Sequence, residues 1–127
     1  MKFDFKLERD KIIVEPVITG KSNSLKFRFF LDTGASATVI DSSVADVFDF
    51  EYNYDENLVT ASGRAKSKKV TIPKIELFGK IVSGFKVNVI DFPYQITLFA
   101  DGLLGMDFLK QLKYLNIDFE KQSVDAE

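Results

Sequence analysis

The residue best placed by its sequence neighbours to do chemistry is Asp32. It follows an apolar run at residues 29–31 and precedes Thr33 and Gly34, so an apolar strand would lead into a tight turn with a carboxylate at its start. An apolar setting disfavours a charged group unless hydrogen bonds or a function compensate for it. Asp32 is therefore the leading candidate for a catalytic group, with an ordinary turn beside a hairpin as the alternative.

The residue types that are absent narrow the chemistry. The sequence has no His and no Cys, which excludes Ser–His and Cys–His nucleophiles, disulfides and the usual zinc sites. A hydrolase made from the remaining ionisable side chains would most naturally use paired carboxylates. Two carboxylates about 3 Å apart repel by roughly 5 kcal/mol at an effective dielectric constant of about 20, so one of them holds a proton at mildly acidic pH. The charged carboxylate can then act as a general base on water while the protonated one donates to a carbonyl.

A second stretch near the other end of the chain matches the first. Leu103 and Leu104 are followed by Gly105 and then by a sequence typical of a short helix. Together, the Asp-Thr-Gly triplet at 32–34 and this apolar-apolar-Gly motif resemble the retropepsin-like aspartic peptidases, the single-domain relatives of retroviral proteases. An Asp-Thr-Gly triplet alone is weak because Asp and Gly are common in turns, but the pair at this separation is more specific. The pattern extends over residues 12–119.

The resemblance implies a fold and an activity. The fold would be all-β, a closed retropepsin-like barrel with a flap hairpin and one or two short helices, formed by residues 1–127 as one domain. Its first residues, 1–10, are expected to be either an edge strand or a loose terminus, and residues 120–127 are expected to be loose. The activity would be that of an aspartic endopeptidase that works as a homodimer, in which each subunit supplies Asp32 and water is the nucleophile. The other partner would be a protein or peptide substrate, and neither a metal nor an organic cofactor is implied.

The neighbours of Asp32 would have supporting roles by the same resemblance. The Thr33 hydroxyl would bond across the subunit interface, and the Gly34 N–H would approach the carboxylate. Ala35 and Ser36 fill the next positions of the motif, and Ser36 could contact the substrate backbone. The alternative is that Thr33 and Gly34 are plain turn residues, with Gly34 chosen for a positive φ.

The second motif would support the first from below. Leu103, Leu104 and Gly105 would pack under the loop that carries the catalytic Asp, and Asp107 is expected to be the N-cap of the last helix. Retroviral members often carry an Arg directly after this glycine, paired with an acid just after the Asp-Thr-Gly. Here the two positions hold Met106 and a serine, so the charged brace is missing and the dimer would be weaker or built differently.

The hairpin expected at residues 58–72 falls where the family has the flap that closes over substrate. Its tip would present Ala61, Ser62, Gly63 and Arg64. Retroviral flap tips are rich in glycine and apolar residues, so this tip would be stiffer and more charged. The lysines that follow favour a solvated edge that blocks aggregation, and a preference for acidic substrates is the alternative.

Composition limits the class of protein. A chain of 127 residues with 46% apolar residues is expected to form one domain with a real core. Net charge is -2 and the basic residues are spread along the chain, so no nucleic-acid partner is expected. No apolar run approaches the roughly 20 residues of a membrane span, and residues 1–8 lack the apolar core of a signal peptide. We expect a soluble, cytoplasmic protein with no membrane partner, although a targeting segment removed from this sequence would leave no trace.

Short alternating segments indicate many strands and few helices. Single strands are expected at 11–19, with a bulge or edge at Pro16, and at 25–31, where Leu25, Phe27 and Phe29 would share a face. We expect a helix over 41–48 with Asp41 or Ser42 as its N-cap, hairpins at 58–72 and 75–82, a turn at Pro93 followed by residues 96–99, and disorder from 122 onwards.

Two alternatives to the peptidase remain open. One is a retropepsin-fold binding or dimerisation module that is catalytically weak or inactive, which the altered flap and the missing brace favour. The intact Asp-Thr-Gly-Ala-Ser at residues 32–36 argues against that module. The other alternative is a plain β-barrel interaction domain with a chance motif, because a fold does not by itself imply a function.

Overall fold

The computed structural model describes residues 1–60 and 63–127, and it describes side chains outside 55–67. Within these residues the chain forms thirteen strands and three short helices. In chain order the elements are β1 Lys2–Asp4, β2 Lys6–Glu8, β3 Lys11–Val14, β4 Val17–Thr19, β5 Ser24–Lys26, β6 Phe29–Leu31, β7 Val39–Asp41, α1 Ser42–Phe48, β8 Asn53–Thr60, β9 Gly63–Leu77, β10 Lys80–Ile90, α2 Tyr94–Thr97, β11 Gly102–Leu104, α3 Met106–Leu109, β12 Leu115–Asp118 and β13 Ser123–Ala126. The prediction of an all-β protein is confirmed.

Ten of the strands belong to one sheet that curls into a half-barrel. Its order is β2-β3-β6-β11-β7-β10-β9-β4-β5, and β8 pairs with β9. At its centre β11 runs parallel to β6, with Leu104 opposite Leu31, and antiparallel to β7. Because β6 and β11 are parallel neighbours, the two loops that follow them emerge at the same edge of the sheet. The pairing therefore brings the two sequence motifs together.

The core lies on the concave side of this sheet. Phe29, Ile40 and Leu104 of the central strands are fully buried, as is Phe108 of α3. The ring of Phe108 packs edge-on against Phe85, with ring centroids 6.0 Å apart. Burying rings of this size contributes much of the apolar surface that stabilises a small domain. The helix that follows the second motif is thus fixed to the core.

The single strand expected at 25–31 is wrong. The chain forms β5 and β6 with a break between them, and Leu25 is 37% exposed whereas Phe29 is fully buried. β5 pairs with β4, while β6 pairs with β3 and β11. Because the two strands pair with different neighbours, side chains no longer alternate regularly between the two faces of the sheet from β5 into β6. Leu25 and Phe29 therefore differ in burial. The strand expected at 11–19 divides in the same way at Pro16, which cannot donate to a ladder.

Both ends of the chain form strands. Residues 1–10, expected to be an edge strand or a loose terminus, contain β1 and β2, and β13 lies where disorder was expected. β13 lies between β1 and β12 in a separate three-stranded sheet. Val124 pairs with Phe3 on one side and Ile117 on the other, and it is 1% exposed. Ala126 is equally buried. Val124 and Ala126 occupy alternate positions of β13, so their side chains form one buried face. β1 and β12, on the two sides of β13, supply its backbone hydrogen bonds.

The helices agree with the sequence at α1 and differ at α2 and α3. Of the two residues predicted as possible caps of α1, Asp41 and Ser42, the cap is Asp41, which accepts a hydrogen bond from the Ser43 N–H. The turn predicted at Pro93 continues as a helix, α2, so the described residues form three short helices where one or two were expected. The N-cap of α3 is Gly105, so the prediction that Asp107 is the cap is wrong.

Both predicted hairpins are present. β9 and β10 are joined by a tight turn in which Phe78 and Gly79 have positive φ. β8 and β9 pair at the position of the flap, with Thr60 opposite Gly63. The predicted tip residues 61 and 62 lie outside the described residues. Among those that are described, no helix has the length and apolar character needed to cross a membrane.

Candidate active site

Asp32 starts the loop after β6, and its carboxylate is oriented by the backbone. The Asp32 N–H donates to the Leu104 carbonyl at 3.0 Å, which continues the pairing with β11. The Ala35 N–H returns to the Asp32 carbonyl at 3.2 Å and closes the turn. The Gly34 N–H donates to Asp32 Oδ1 at 2.9 Å, and Asp32 stays half-buried. The loop thus fixes the acid while leaving it partly accessible.

Gly34 is needed for close approach to the carboxylate. A Cβ at this position would lie 3.2 Å from Asp32 Oδ1, closer than ordinary van der Waals contact. The glycine therefore lets its own N–H reach the acid, as the sequence predicted. The alternative reading of Gly34, a turn position with positive φ, is not what the backbone shows.

The second motif supports this loop through backbone contacts. The Met106 N–H donates to the Ala35 carbonyl at 2.7 Å, and the Asp107 N–H donates to the Ser36 carbonyl at 3.1 Å. A Cβ on Gly105 would lie 2.7 Å from the carbonyl carbon of Ala37. Only glycine lets the two loops approach this closely. The first turn of α3 is thereby attached to the residues that follow Asp32.

Thr38 and Asp107 form a further link that sequence reasoning missed. Asp107 Oδ2 accepts the Thr38 N–H at 2.9 Å, and Oδ1 accepts the Thr38 hydroxyl at 2.7 Å. The Thr38 oxygen in turn accepts the Gly105 N–H at 3.1 Å, and Thr38 is fully buried. Asp107 also accepts its neighbour's N–H, from Phe108. The only signal available in the sequence was a polar residue, Thr38, next to apolar residues, together with an acid, Asp107, near the start of a predicted helix.

Two polar side chains of the loop point away from these supports. Thr33 and Ser36 are both exposed. Over residues 1–60 and 63–127, neither hydroxyl makes a hydrogen bond within the chain. Both groups are thus free to bind a substrate or a second subunit.

A cavity of about 610 Å³ opens beside Asp32. The residues that line it come from β2, β3 and the turn between them, from β6 and β11, from the end of β10 and the chain after it, and from the chain after β12. The lining is mostly apolar and consists of Leu7, Asp10, Lys11, Ile12, Phe30, Leu31, Asp32, Ile90, Phe92, Pro93, Ile96, Leu103 and Phe119. An apolar cavity with a carboxylate at its edge suits a ligand with bulky apolar groups and one polar centre.

Asp41 is a second carboxylate near this part of the fold, and it is 8% exposed. Burial by itself would raise the pKa of Asp41. Hydrogen bonds from the Ser43 hydroxyl and from the N–H groups of Phe92, Ser43 and Ser42 outweigh burial and hold the pKa below its ordinary value. Asp41 is therefore ionised at neutral pH.

The structure brings most of the predicted site residues together. Asp32, Gly34, Ala35, Leu104 and Gly105 are joined by the contacts above, while Leu103 lines the cavity. The predicted flap residues are only partly described. Ala61 and Ser62 lie outside the described residues, and only the strand pairing of Gly63 and Arg64 is described.

The fold of this chain is shared by several solved structures. A crystal structure of a retropepsin-like aspartic protease from Rickettsia conorii is 24% identical, with a TM-score of 0.72, and covers 99% of this chain and 89% of that chain. The retroviral protease-like domain of Ddi1 from Leishmania major is 18% identical, with a TM-score of 0.62, over 92% and 88% of the two chains. EIAV protease complexed with the inhibitor HBY-793 is 17% identical, with a TM-score of 0.59, over 81% and 88%. The predicted retropepsin-like fold is confirmed.

The family follows from the sequence itself. Residues 18–111 match the family described as "gag-polyprotein putative aspartyl protease", which is most of the chain. The chain belongs to this family of retropepsin-like aspartic peptidases, as its two motifs predicted. A comparison with curated proteins finds no match.

Proposed function

We propose that this protein is an aspartic endopeptidase that acts as a homodimer. Two Asp32 carboxylates, one from each subunit, would flank a water molecule. The ionised carboxylate takes a proton from the water, whose oxygen attacks the peptide carbonyl, and the protonated carboxylate donates to the carbonyl oxygen. The observation that carries the proposal is the accessible Asp32 carboxylate, held by the Gly34 N–H at 2.9 Å beside a large apolar cavity.

The homodimer is proposed because the chain supplies one half of such a site. The sequence has one Asp-Thr-Gly triplet, and two carboxylates are needed to divide the roles of base and acid. Thr33 and Ser36 are exposed at the same edge of the sheet as Asp32. A two-fold axis near Asp32 would make an isologous interface from these residues.

The cavity suggests the kind of substrate. Its lining is dominated by Leu, Ile and Phe side chains, with Asp10 and Lys11 as the charged members besides Asp32. A protein or peptide substrate with bulky apolar residues around the cleaved bond would bury them there. Such contacts favour flexible or unfolded chains, because folded proteins keep those residues inside.

Cleavage of a denatured protein between pH 4 and 8 tests the proposal. The parent should cleave, and Asp32→Asn should reduce the rate by at least about a thousandfold, because an amide cannot act as a general base. Asp4→Asn is the matched control, since Asp4 lies on exposed β1 outside the site, and it should cleave like the parent. Equal cleavage by Asp32→Asn and the parent would contradict the proposal.

One observation favours an alternative, a dimerisation or binding module without useful activity. Where retroviral relatives often carry the charged brace, Met106 is 39% exposed and Ser36 is exposed. Neither side chain can form the missing ion pair. A chain that dimerises and binds unfolded peptide, yet cleaves no faster than Asp32→Asn, would establish this module in place of the peptidase.

A further inference from the structure

The chain between β10 and β11 forms a wall of the candidate site. We refer to residues 91–101 as the α2 segment. It leaves the sheet after Ile90, passes through α2, and returns to β11. Phe92, Pro93 and Ile96 of this segment line the cavity that also contains Asp32. The α2 segment therefore supplies part of the apolar lining of the cavity.

The beginning of the α2 segment is held by Asp41. The Phe92 N–H donates to Asp41 Oδ1 at 2.8 Å. The other oxygen, Oδ2, accepts the Ser43 N–H at 3.2 Å and also the Ser43 hydroxyl. One carboxylate thus joins the first turn of α1 to the α2 segment. Beside it, the Ser42 hydroxyl donates to Asp91 Oδ1 at 2.5 Å.

The end of the α2 segment is held separately. The Asp101 N–H donates to the Arg28 carbonyl at 2.7 Å, and Asp101 Oδ2 accepts the Arg28 N–H at 3.0 Å. The Asp41 N–H donates to the Asp101 carbonyl at 2.9 Å. These bonds fix residue 101 at the end of the α2 segment. If the α2 segment moved, the movement would therefore begin at the end that follows Ile90. That end is the one that carries Phe92 and Pro93.

We propose that Asp41 is a positioning residue for substrate selection, because its bond to the Phe92 N–H fixes the apolar wall that Phe92 and Pro93 form. This inference rests on the proposed function of the Asp32 site. The carboxylate acts through Phe92 and Pro93 and does not take part in the chemical step. Loss of the bond lets the wall shift, which weakens contact with large side chains more than with small ones.

Asp41→Ser separates this role from the capping of α1. Serine is as good an N-cap as aspartate, so its hydroxyl can still serve the Ser43 N–H. It is one bond shorter and has one oxygen, so it cannot also hold Phe92. Two peptides that differ only in having Phe or Ala on both sides of the cleaved bond provide the readout. In Asp41→Ser the Phe-to-Ala ratio of kcat/KM should fall about tenfold, through a higher KM for the Phe peptide with kcat unchanged.

Two control variants bracket this result. Ser43→Ala removes a bond to Oδ2 and leaves the Phe92 bond, so it should keep the parent ratio. Ser42→Ala removes the bond to Asp91 at the beginning of the segment, and should lower the ratio about threefold, as loss of a weaker support would. It also serves as the test if Asp41→Ser does not fold. The proposal is overturned if the Phe-to-Ala ratio of kcat/KM falls as much in Ser43→Ala as in Asp41→Ser. It is also overturned if that ratio stays at the parent value in both Asp41→Ser and Ser42→Ala.

A binding experiment keeps this inference apart from the peptidase proposal. The probe is the Phe peptide with a reduced, uncleavable bond, and its Kd is measured by calorimetry. Asp41→Ser should bind it about tenfold more weakly than the parent, whether or not the parent cleaves peptides. If Asp41→Ser binds the peptide more weakly but the parent cleaves no peptide, the peptidase proposal is wrong and the positioning role of Asp41 still holds. Equal Kd values, or no binding to the parent, overturn the positioning role.

Discussion

The loop that carries Asp32 depends on a residue far away in the sequence. Asp107 binds both the N–H and the hydroxyl of Thr38, which lies 69 residues earlier. Replacement of Asp107 by Asn keeps one acceptor oxygen but replaces the other with an NH₂ group. That NH₂ group would face one of the two Thr38 donors, which would then have no acceptor. We expect Asp107→Asn to lower the free energy of unfolding by about 1–3 kcal/mol, the cost of an unsatisfied buried donor, while residual peptidase activity remains.

Denaturant unfolding measures this effect, and peptide cleavage measures the remaining activity. The exposed Asp4→Asn variant is the control and should change stability by less than about 0.5 kcal/mol. If Asp107→Asn were no less stable than Asp4→Asn, the Thr38 link would contribute nothing to the fold.

The candidate site divides into a part that sequence could predict and a part that it could not. Asp32 and Gly34 are two residues apart, and their contact follows from the local turn. The predicted cap role of Asp107 used the same local reasoning and was wrong. Its partner Thr38 is adjacent only because β6, β11 and β7 are neighbours in the sheet. Contacts of this kind depend on the tertiary arrangement, which no local pattern specifies.

The separate terminal sheet is the element least visible in the sequence. The sequence predicts disorder from residue 122 onwards, but β13 has partners on both sides. Val124 is 1% exposed at its centre. We expect Val124→Ala to lower the free energy of unfolding by about 2 kcal/mol, since it removes two buried methyl groups and leaves a small cavity.

Val47→Ala is the matched control for that measurement. Val47 lies on α1 and is 55% exposed, and alanine has the higher helix propensity. Its stability should therefore be unchanged or slightly higher. Equal stability of the two variants would mean that β13 contributes nothing to the folded state.

The elements that the sequence predicted correctly have strong local signals. α1 has Asp41 as its cap, and the β9–β10 hairpin has a Phe78–Gly79 turn with positive φ. α2 was missed because two of its four residues, Ile96 and Thr97, are β-branched and favour strands. Its location was decided by Pro93 and by the tie to Asp41, and the second of these is a tertiary contact.

The lowered pKa of Asp41 predicts how stability depends on pH. Burial opposes ionisation, but the bonds from Ser43 and Phe92 dominate, so the folded-state pKa lies below the ordinary value of 3.8. A lowered pKa stabilises the folded state above pH 3.8, and this contribution is lost as pH falls through the folded-state value. Asp41→Asn should therefore be about 1 kcal/mol less stable than the parent at neutral pH.

The difference between the two proteins should narrow below pH 3.8, because the protonated Asp41 then resembles the amide. Urea unfolding at a series of pH values measures it. A stability difference that does not change with pH would show that the charge of Asp41 contributes nothing to the fold.

At the scale of the whole molecule, the sequence predicted the family and, through the resemblance, a homodimer, but not the surface that would form the interface. Two short motifs were enough for the family, because each one has a fixed local geometry. An interface between two copies depends on the shape of a surface made from several elements. Leu7 and Phe119, which are 40% and 61% exposed at the cavity, lie on β2 and just after β12, far apart in the chain. Such a surface can be described only after the fold is known.

The proposed dimer places two Asp32 carboxylates side by side, and this makes assembly sensitive to their charge. When both are ionised they repel across the interface, whereas an amide at position 32 removes the repulsion. We expect Asp32→Asn to dimerise at least about tenfold more tightly than the parent near pH 7, a difference of about 1.4 kcal/mol. The difference should narrow near pH 4, because a close pair of carboxylates takes up a proton as pH falls.

Sedimentation equilibrium of both proteins at the two pH values measures these dissociation constants. Other carboxylates also change charge over this range, and comparison at equal pH cancels their contribution. Asp4→Asn, which removes one charge away from the site, controls for net charge and should match the parent at both values. Equal dissociation constants for Asp32→Asn and the parent throughout would show that the two carboxylates do not meet. The site would then lack its second acid, and the mechanism proposed for Asp32 would fail while the fold remained.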